Sequence, residues 1–130
     1  MKANNFTVGD YVYNDLGQIF RIAQVTDACY GICSSDIMLE DGEEYSEVEP
    51  IPLEKNILLK NGFLPADDKR SFVLADDYYD VVIYEITDSI WSVSYSNLEC
   101  SSFDAKVCIC HVHELQHMLR FWGIEKEIEL

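Results

Sequence analysis

The chain has 130 residues, of which 48% are hydrophobic and 12% aromatic, a composition that supports a packed core and excludes a disordered chain. Its 24 acidic side chains against 9 lysines and arginines give a formal net charge of −15, a field that excludes ordinary binding to nucleic acid phosphates. No stretch approaches the ~18 apolar residues that mark a membrane span, and the start Met1-Lys2-Ala3-Asn4-Asn5-Phe6 lacks an apolar signal core.

The expectation is therefore a cytoplasmic protein with no membrane association. The 5 cysteines are an odd number, and in that compartment they are expected as free thiols. Cys108 and Cys110 alternate with Val107, Ile109 and His111, so they share one face of a strand. They are expected as small buried hydrophobes.

Residues 1–52 read as short strands. Tyr11, Val12 and Tyr13 stop at the turn signal Asn14-Asp15-Leu16-Gly17. Gln18 to Val25 then alternates, with Ile19, Arg21 and Ala23 against Phe20, Ile22 and Gln24, which predicts a hairpin with the first strand. Tyr30 to Cys33 and Ile37 to Leu39 suggest two further strands. Asp41-Gly42 fits a tight turn into Glu43–Val48. Five short strands with tight turns predict a small SH3-like barrel or a curled sheet. Tyr11, Tyr13, Phe20 and Tyr30 are candidates for a binding rim, set against filling of the core by some of them. The run Glu40-Asp41-Gly42-Glu43-Glu44 lacks the regular calcium-loop pattern and reads as a solvated turn.

Pro50-Ile51-Pro52 favours extended chain. Leu53 to Asn61 predicts a helix of about two turns, ended by Gly62 as a left-handed cap with Phe63 locking it. Pro65 to Arg70 is a polar loop. Ser71–Leu74 is a candidate short strand, Tyr79–Ile86 carries the strongest strand pattern, and Ile90–Tyr95 and Ala105–Cys110 follow, with a turn at Ser96-Asn97. A final helix over Val112–Trp122 puts Val112, Leu115, Met118, Leu119 and Trp122 on one face. That face is expected to cover Trp91, Val93 and Tyr95. Ile124 to Leu130 is an extended or frayed end whose Ile124, Ile128 and Leu130 can dock.

The fold class is α+β: an SH3-like barrel or curled sheet over 1–52, then over 53–130 a helix and an antiparallel three-stranded meander covered by a C-terminal helix, with the two parts packed as one unit.

His113-Glu114-Leu115-Gln116-His117 spells H-E-x-x-H, the pattern that puts two zinc-binding imidazoles on one helix face with a glutamate as general base. A catalytic zinc needs a third protein ligand. Downstream only Glu125, Glu127 and Glu129 offer one, and Cys108 or Cys110 upstream would make an unusual set. Helical phase also turns His113 and His117 away from the apolar stripe and toward solvent. No catalytic, cofactor or metal residue is assigned on sequence grounds.

Three blocks carry a resemblance: Val8-Gly9-Asp10-Tyr11-Val12-Tyr13-Asn14, EPIPLEKNILLKNGF over Glu49–Phe63, and VHELQHML over Val112–Leu119. Together they resemble a group of short uncharacterised proteins of gut Bacteroidota and their phages. In that group the last block reads closer to V-H-Q-L-Q-N, so Glu114 and His117 fall outside the shared pattern. The resemblance brings no activity. The expected function is a non-enzymatic, acidic protein-interaction module of a gut bacterium or mobile element, whose partner is another protein with a basic surface. The alternatives are a zinc-dependent hydrolase built on His113, Glu114 and His117, and an acidic inhibitor that mimics nucleic acid with Glu40, Asp41, Glu43, Glu44, Glu47 and Glu49. A weak peptide- or ligand-binding module using Tyr11, Tyr13 and Phe20 is a third class.

Overall fold

The computed structural model describes residues 6–27, 35–45, 48–68, 70–97 and 104–130. The chain divides into two compact units, Met1–Ile51 and Pro52–Leu130. The structure is mixed α+β, with two antiparallel sheets and, among the described residues, two helices.

In the first unit, β1 (Tyr11–Tyr13), β2 (Ile19–Asp27), β3 (Ser35–Leu39), β4 (Glu44–Tyr45) and β5 (Glu49–Pro50) form one sheet in the order β4-β3-β2-β1-β5. Asn14 makes the β1–β2 turn. Its buried Oδ1 accepts the backbone N–H of Leu16 at 2.9 Å and of Gln18 at 2.8 Å, and Gly17 takes a φ of +75° that a side chain would resist. Period-two alternation sends Val12 and Ile22 inward, where they join Ile37, Leu39 and Val48 as the core. A register shift between Ile22 and Gln24 leaves Ala23 and Gln24 both outside before Val25 turns in. The strand expected over Tyr30–Cys33, with Cys29, lies outside the described residues.

The second unit opens with α1 (Lys55–Lys60). Then come β6 (Leu64–Pro65), β7 (Ser71–Ala75), β8 (Tyr79–Glu85), β9 (Trp91–Asn97) and β10 (Asp104–Ile109), paired in the order β10-β9-β8-β7-β6, and finally α2 (Val112–Phe121). Three differences from the sequence expectation exceed a one-residue shift of a boundary. Pro65 sits in β6, at the edge of the sheet, where a proline costs no ladder bond. Ser96 and Asn97, read as a turn, continue β9 opposite Asp80 and Tyr79. Leu53 precedes α1, and its N–H is bonded to the Cys110 carbonyl at 3.0 Å.

One face of this sheet is apolar and buried. Phe72, Ile83 and Val93 stand in one cross-strand row, Val81 and Tyr95 in a second, and Trp91 and Ile109 in a third. Val112, Leu115 and Leu119 of α2 are buried with them, and Trp122 stacks on Tyr95 at 4.9 Å between ring centroids. The Trp91 indole N–H donates to the Leu53 carbonyl at 3.1 Å, which satisfies the one polar atom of a fully buried ring. Cys108 corrects the expectation of buried thiols: it is exposed and Cys110 is half-buried. Cys110 lies beyond the end of β10, and the covered face of that strand belongs to Ile109.

Beyond α2 the chain continues without regular structure to Leu130, with Ile124 and Ile128 buried, Lys126 and Leu130 half-buried, and Glu125, Glu127 and Glu129 exposed. This is the period-two pattern of a strand. No helix among the described residues is long and apolar enough to cross a membrane.

Candidate functional site

The H-E-x-x-H segment opens α2. His111 is the N-cap, with extended backbone (φ −129°, ψ 157°), so Val112, His113 and Glu114 are the first three helical positions. Their N–H groups have no intrahelical acceptor. Glu114 turns back and closes this end. Its Oε1 accepts the backbone N–H of Cys110 at 3.0 Å and of His111 at 2.9 Å, and lies 3.0 Å from His111 Nδ1. This is the glutamate half of a capping box. Burial pushes the Glu114 carboxyl up, but these hydrogen bonds and the charge of His111 outweigh it and hold the group below the usual glutamate range. A zinc-protease general base needs a carboxylate oxygen facing the metal-bound water. Here Oε1 is committed to the start of the helix.

His113 is 3% exposed, which corrects the expectation that both histidines face water; His117 is half-buried. The buried sector of α2 is Val112, His113, Leu115, Gln116 and Leu119. It is rotated by roughly 60° from the apolar stripe, and Met118 and Trp122 are only half-buried. On the Gln116 flank of this sector the C-terminal segment is hydrogen-bonded to the helix. The three imidazoles form a row, His111 5.7 Å from His113 and His113 5.5 Å from His117 between ring centroids. Among the described residues, no group of three or more His, Cys, Asp or Glu side chains is placed to hold a metal ion. The nearby Cys110 thiol is pushed up by burial, then by Glu114 and Cys108, which disfavours the thiolate that binds metals.

The aromatic candidates separate by strand parity. Tyr11 and Tyr13 lie on the outer face with Ile19 and Arg21, their partners across the ladder, and the Arg21 guanidinium sits 4.6 Å from the Tyr11 ring centre. Phe20 does not join them; it packs against the core from the other face. Tyr30 lies outside the described residues.

The acidic candidates fall on a turn and a strand of the first unit. Glu40, Asp41 and Glu43 are exposed at the β3–β4 turn, where Asp41 Oδ1 accepts the Glu43 N–H at 2.9 Å. Glu49 is on β5, at the opposite end of the strand order. The side chain of Glu44 and all of Glu47 lie outside the description.

A pocket that sequence reasoning missed lies in the second unit. It has a volume of about 220 Å³ and is lined by Leu53, Glu54, Lys55, Asn56, Glu85, Asp88 and Trp91. Lys55 Nζ is 3.4 Å from Glu85 Oε1, and the pocket lining holds three carboxylate residues against one lysine. No sequence signal marks it, because Glu54 and Glu85 are brought together only by the packing of the unit.

Comparison of the chain with protein-family models, curated proteins and solved structures gives no match.

Proposed function

We propose that this chain is a non-enzymatic acidic module that binds another protein through a basic surface of that partner. The observation that carries the reading is the net charge of −15, with carboxylates exposed in both units and gathered around the Glu54, Glu85 and Asp88 pocket. A partner's lysine or arginine entering that pocket would meet excess negative charge from Glu54, Glu85 and Asp88. The outer face of β1 and β2, with Tyr11, Tyr13 and Ile19, supplies amphipathic area of the kind enriched at interfaces. The order β4-β3-β2-β1-β5 with antiparallel pairing throughout supports a small SH3-like barrel for the first unit. The commitment of Glu114 to the helix start weighs against the hydrolase.

The test is capture of partners from lysate on immobilised full-length chain. Between ~0.01 and ~1 M salt the Debye length contracts from ~30 to ~3 Å. The expected result is a retained basic protein that elutes steeply over that range. Salt-independent retention sinks the electrostatic reading. Near-stoichiometric zinc in untagged protein, lost in His117→Ala, replaces it with the hydrolase.

A further inference from the structure

We propose that the groove flanked by α2 and the C-terminal end of α1 is a receptor for an extended peptide segment, and that residues 124–130 are its displaceable resident. This rests on the reading of the chain as an interaction module and names its site and the chemistry of its partner: an extended segment with branched aliphatic residues four positions apart.

The groove reads backbone. Gln116, buried in α2, donates from Nε2 to the Lys126 carbonyl at 2.9 Å and accepts the Ile128 N–H on Oε1 at 2.6 Å. Asn61, buried at the end of α1, accepts the Glu129 N–H at 2.7 Å and donates to the Glu129 carbonyl at 2.8 Å. In an extended chain the carbonyl of one residue and the N–H two positions on face one edge, and the groups of the next residue face the other. The two amides therefore bracket the segment from both edges, as neighbouring strands would, but with side chains. Side-chain selection comes from Ile124 and Ile128, both buried, while the glutamates between them point outward and are free to vary.

Two features make the resident displaceable. It is held by no strand ladder, and one of its attachments is the exposed Arg120–Glu127 pair at 3.1 Å, a class of contact that adds little. It also leaves α2 at Gly123, where φ is +77° and a glycine can swing to other conformations without strain. Removing it takes a hydrogen-bond partner from four amide atoms on Asn61 and Gln116, of which Asn61 Nδ2 keeps the Ile57 carbonyl at 2.7 Å. An empty groove thus favours any segment that restores them.

The probe is a fluorescent peptide of Gly123–Leu130 added to full-length protein. In wild type the resident competes at high effective concentration, so binding is weak. Ile128→Glu disfavours the resident and is expected to tighten peptide binding at least about tenfold, because the apparent affinity scales with the fraction of open groove. Adding Gln116→Ala to that variant should abolish the gain. A folded Ile128→Glu protein that binds no better than wild type overturns the proposal. Should that variant not fold, native-state hydrogen exchange on wild type decides. The Ile128 and Glu129 amides are expected to open on the order of 100-fold more often than those of Ile83 and Val93 in the sheet. Equal protection would mean that the segment leaves only with global unfolding, and the proposal fails. Either failure leaves the salt-sensitive capture of a basic partner untouched, so the two readings fall separately.

Discussion

α1 and α2 stop on the same bonds. In α1 the N–H of Phe63 reaches the Leu58 carbonyl at 3.0 Å and that of Gly62 reaches Leu59 at 3.3 Å; in α2 Ile124 reaches Leu119 at 2.8 Å and Gly123 reaches Arg120 at 3.0 Å. Each is a Schellman ending: a glycine at positive φ (+86° and +77°), then an apolar residue buried with the one five positions earlier. Each helix also lends one buried amide to the C-terminal segment. Their beginnings differ. Glu54 caps α1 with no side-chain hydrogen bond, whereas α2 starts on the His111–Glu114 box. The difference shows what the H-E-x-x-H string does here: its glutamate gives α2 the start that α1 lacks.

The largest expected effect tests the shared ending at its apolar contact. Leu58 and Leu119 are both fully buried. Leu119→Ala is expected to lower unfolding free energy by about 2–5 kcal/mol, and Leu58→Ala to fall in the same range. Denaturant titration of both measures it. A cost under about 1 kcal/mol for Leu58→Ala alone would show that only the α2 ending is tied into the core.

The glycines are next. A Cβ at Gly123 would meet nothing within 4 Å, and one at Gly62 only the Lys126 ammonium at 3.8 Å. The penalty for alanine is thus backbone strain alone, roughly 1–2 kcal/mol at either position. Equal shifts in denaturation midpoint would confirm that the endings are equivalent. A much larger loss at Gly123 would mean that the turn also seats the C-terminal segment.

Much of this was legible in the residues. Gly62 followed by Phe63 announces the α1 ending, and the patterns over Tyr79–Ile86 and Ile90–Tyr95 announce the strands that make the buried face, Tyr79–Glu85 and Trp91–Asn97. The alternation Ile124-Glu125-Lys126-Glu127-Ile128 was equally visible, but its partner was not, since Asn61 is far away in sequence and an amide side chain carries no pattern. That omission displaced the reading of α2. The buried sector of α2 includes Gln116, which binds this segment, and also His113. Cys108 failed for another reason. Parity tells which residues share a face, and only the packing of the opposite side tells which face is covered. The Glu54, Glu85 and Asp88 pocket belongs to the same class of feature, in which chemistry comes from chain segments that no local spacing connects.

The smallest expected effect separates the two beginnings. Glu114→Ala should cost about 0.5–2 kcal/mol, as losses of N-terminal caps do, while Glu54→Ala should stay within about 0.5 kcal/mol. The pH dependence follows from the lowered carboxyl. A glutamate held below its unfolded value of about 4.3 contributes stability that is fully present above that pH and is lost as pH falls through the folded value. Glu114→Gln keeps an acceptor for the same N–H groups and has no proton to gain. Its deficit against wild type should therefore be constant above pH ~5 and shrink on acidification below about 4.3. A deficit that instead grows below that pH would mean that the carboxylate is not stabilised where it stands. The capping assignment would then fail, and the glutamate would again be available for chemistry.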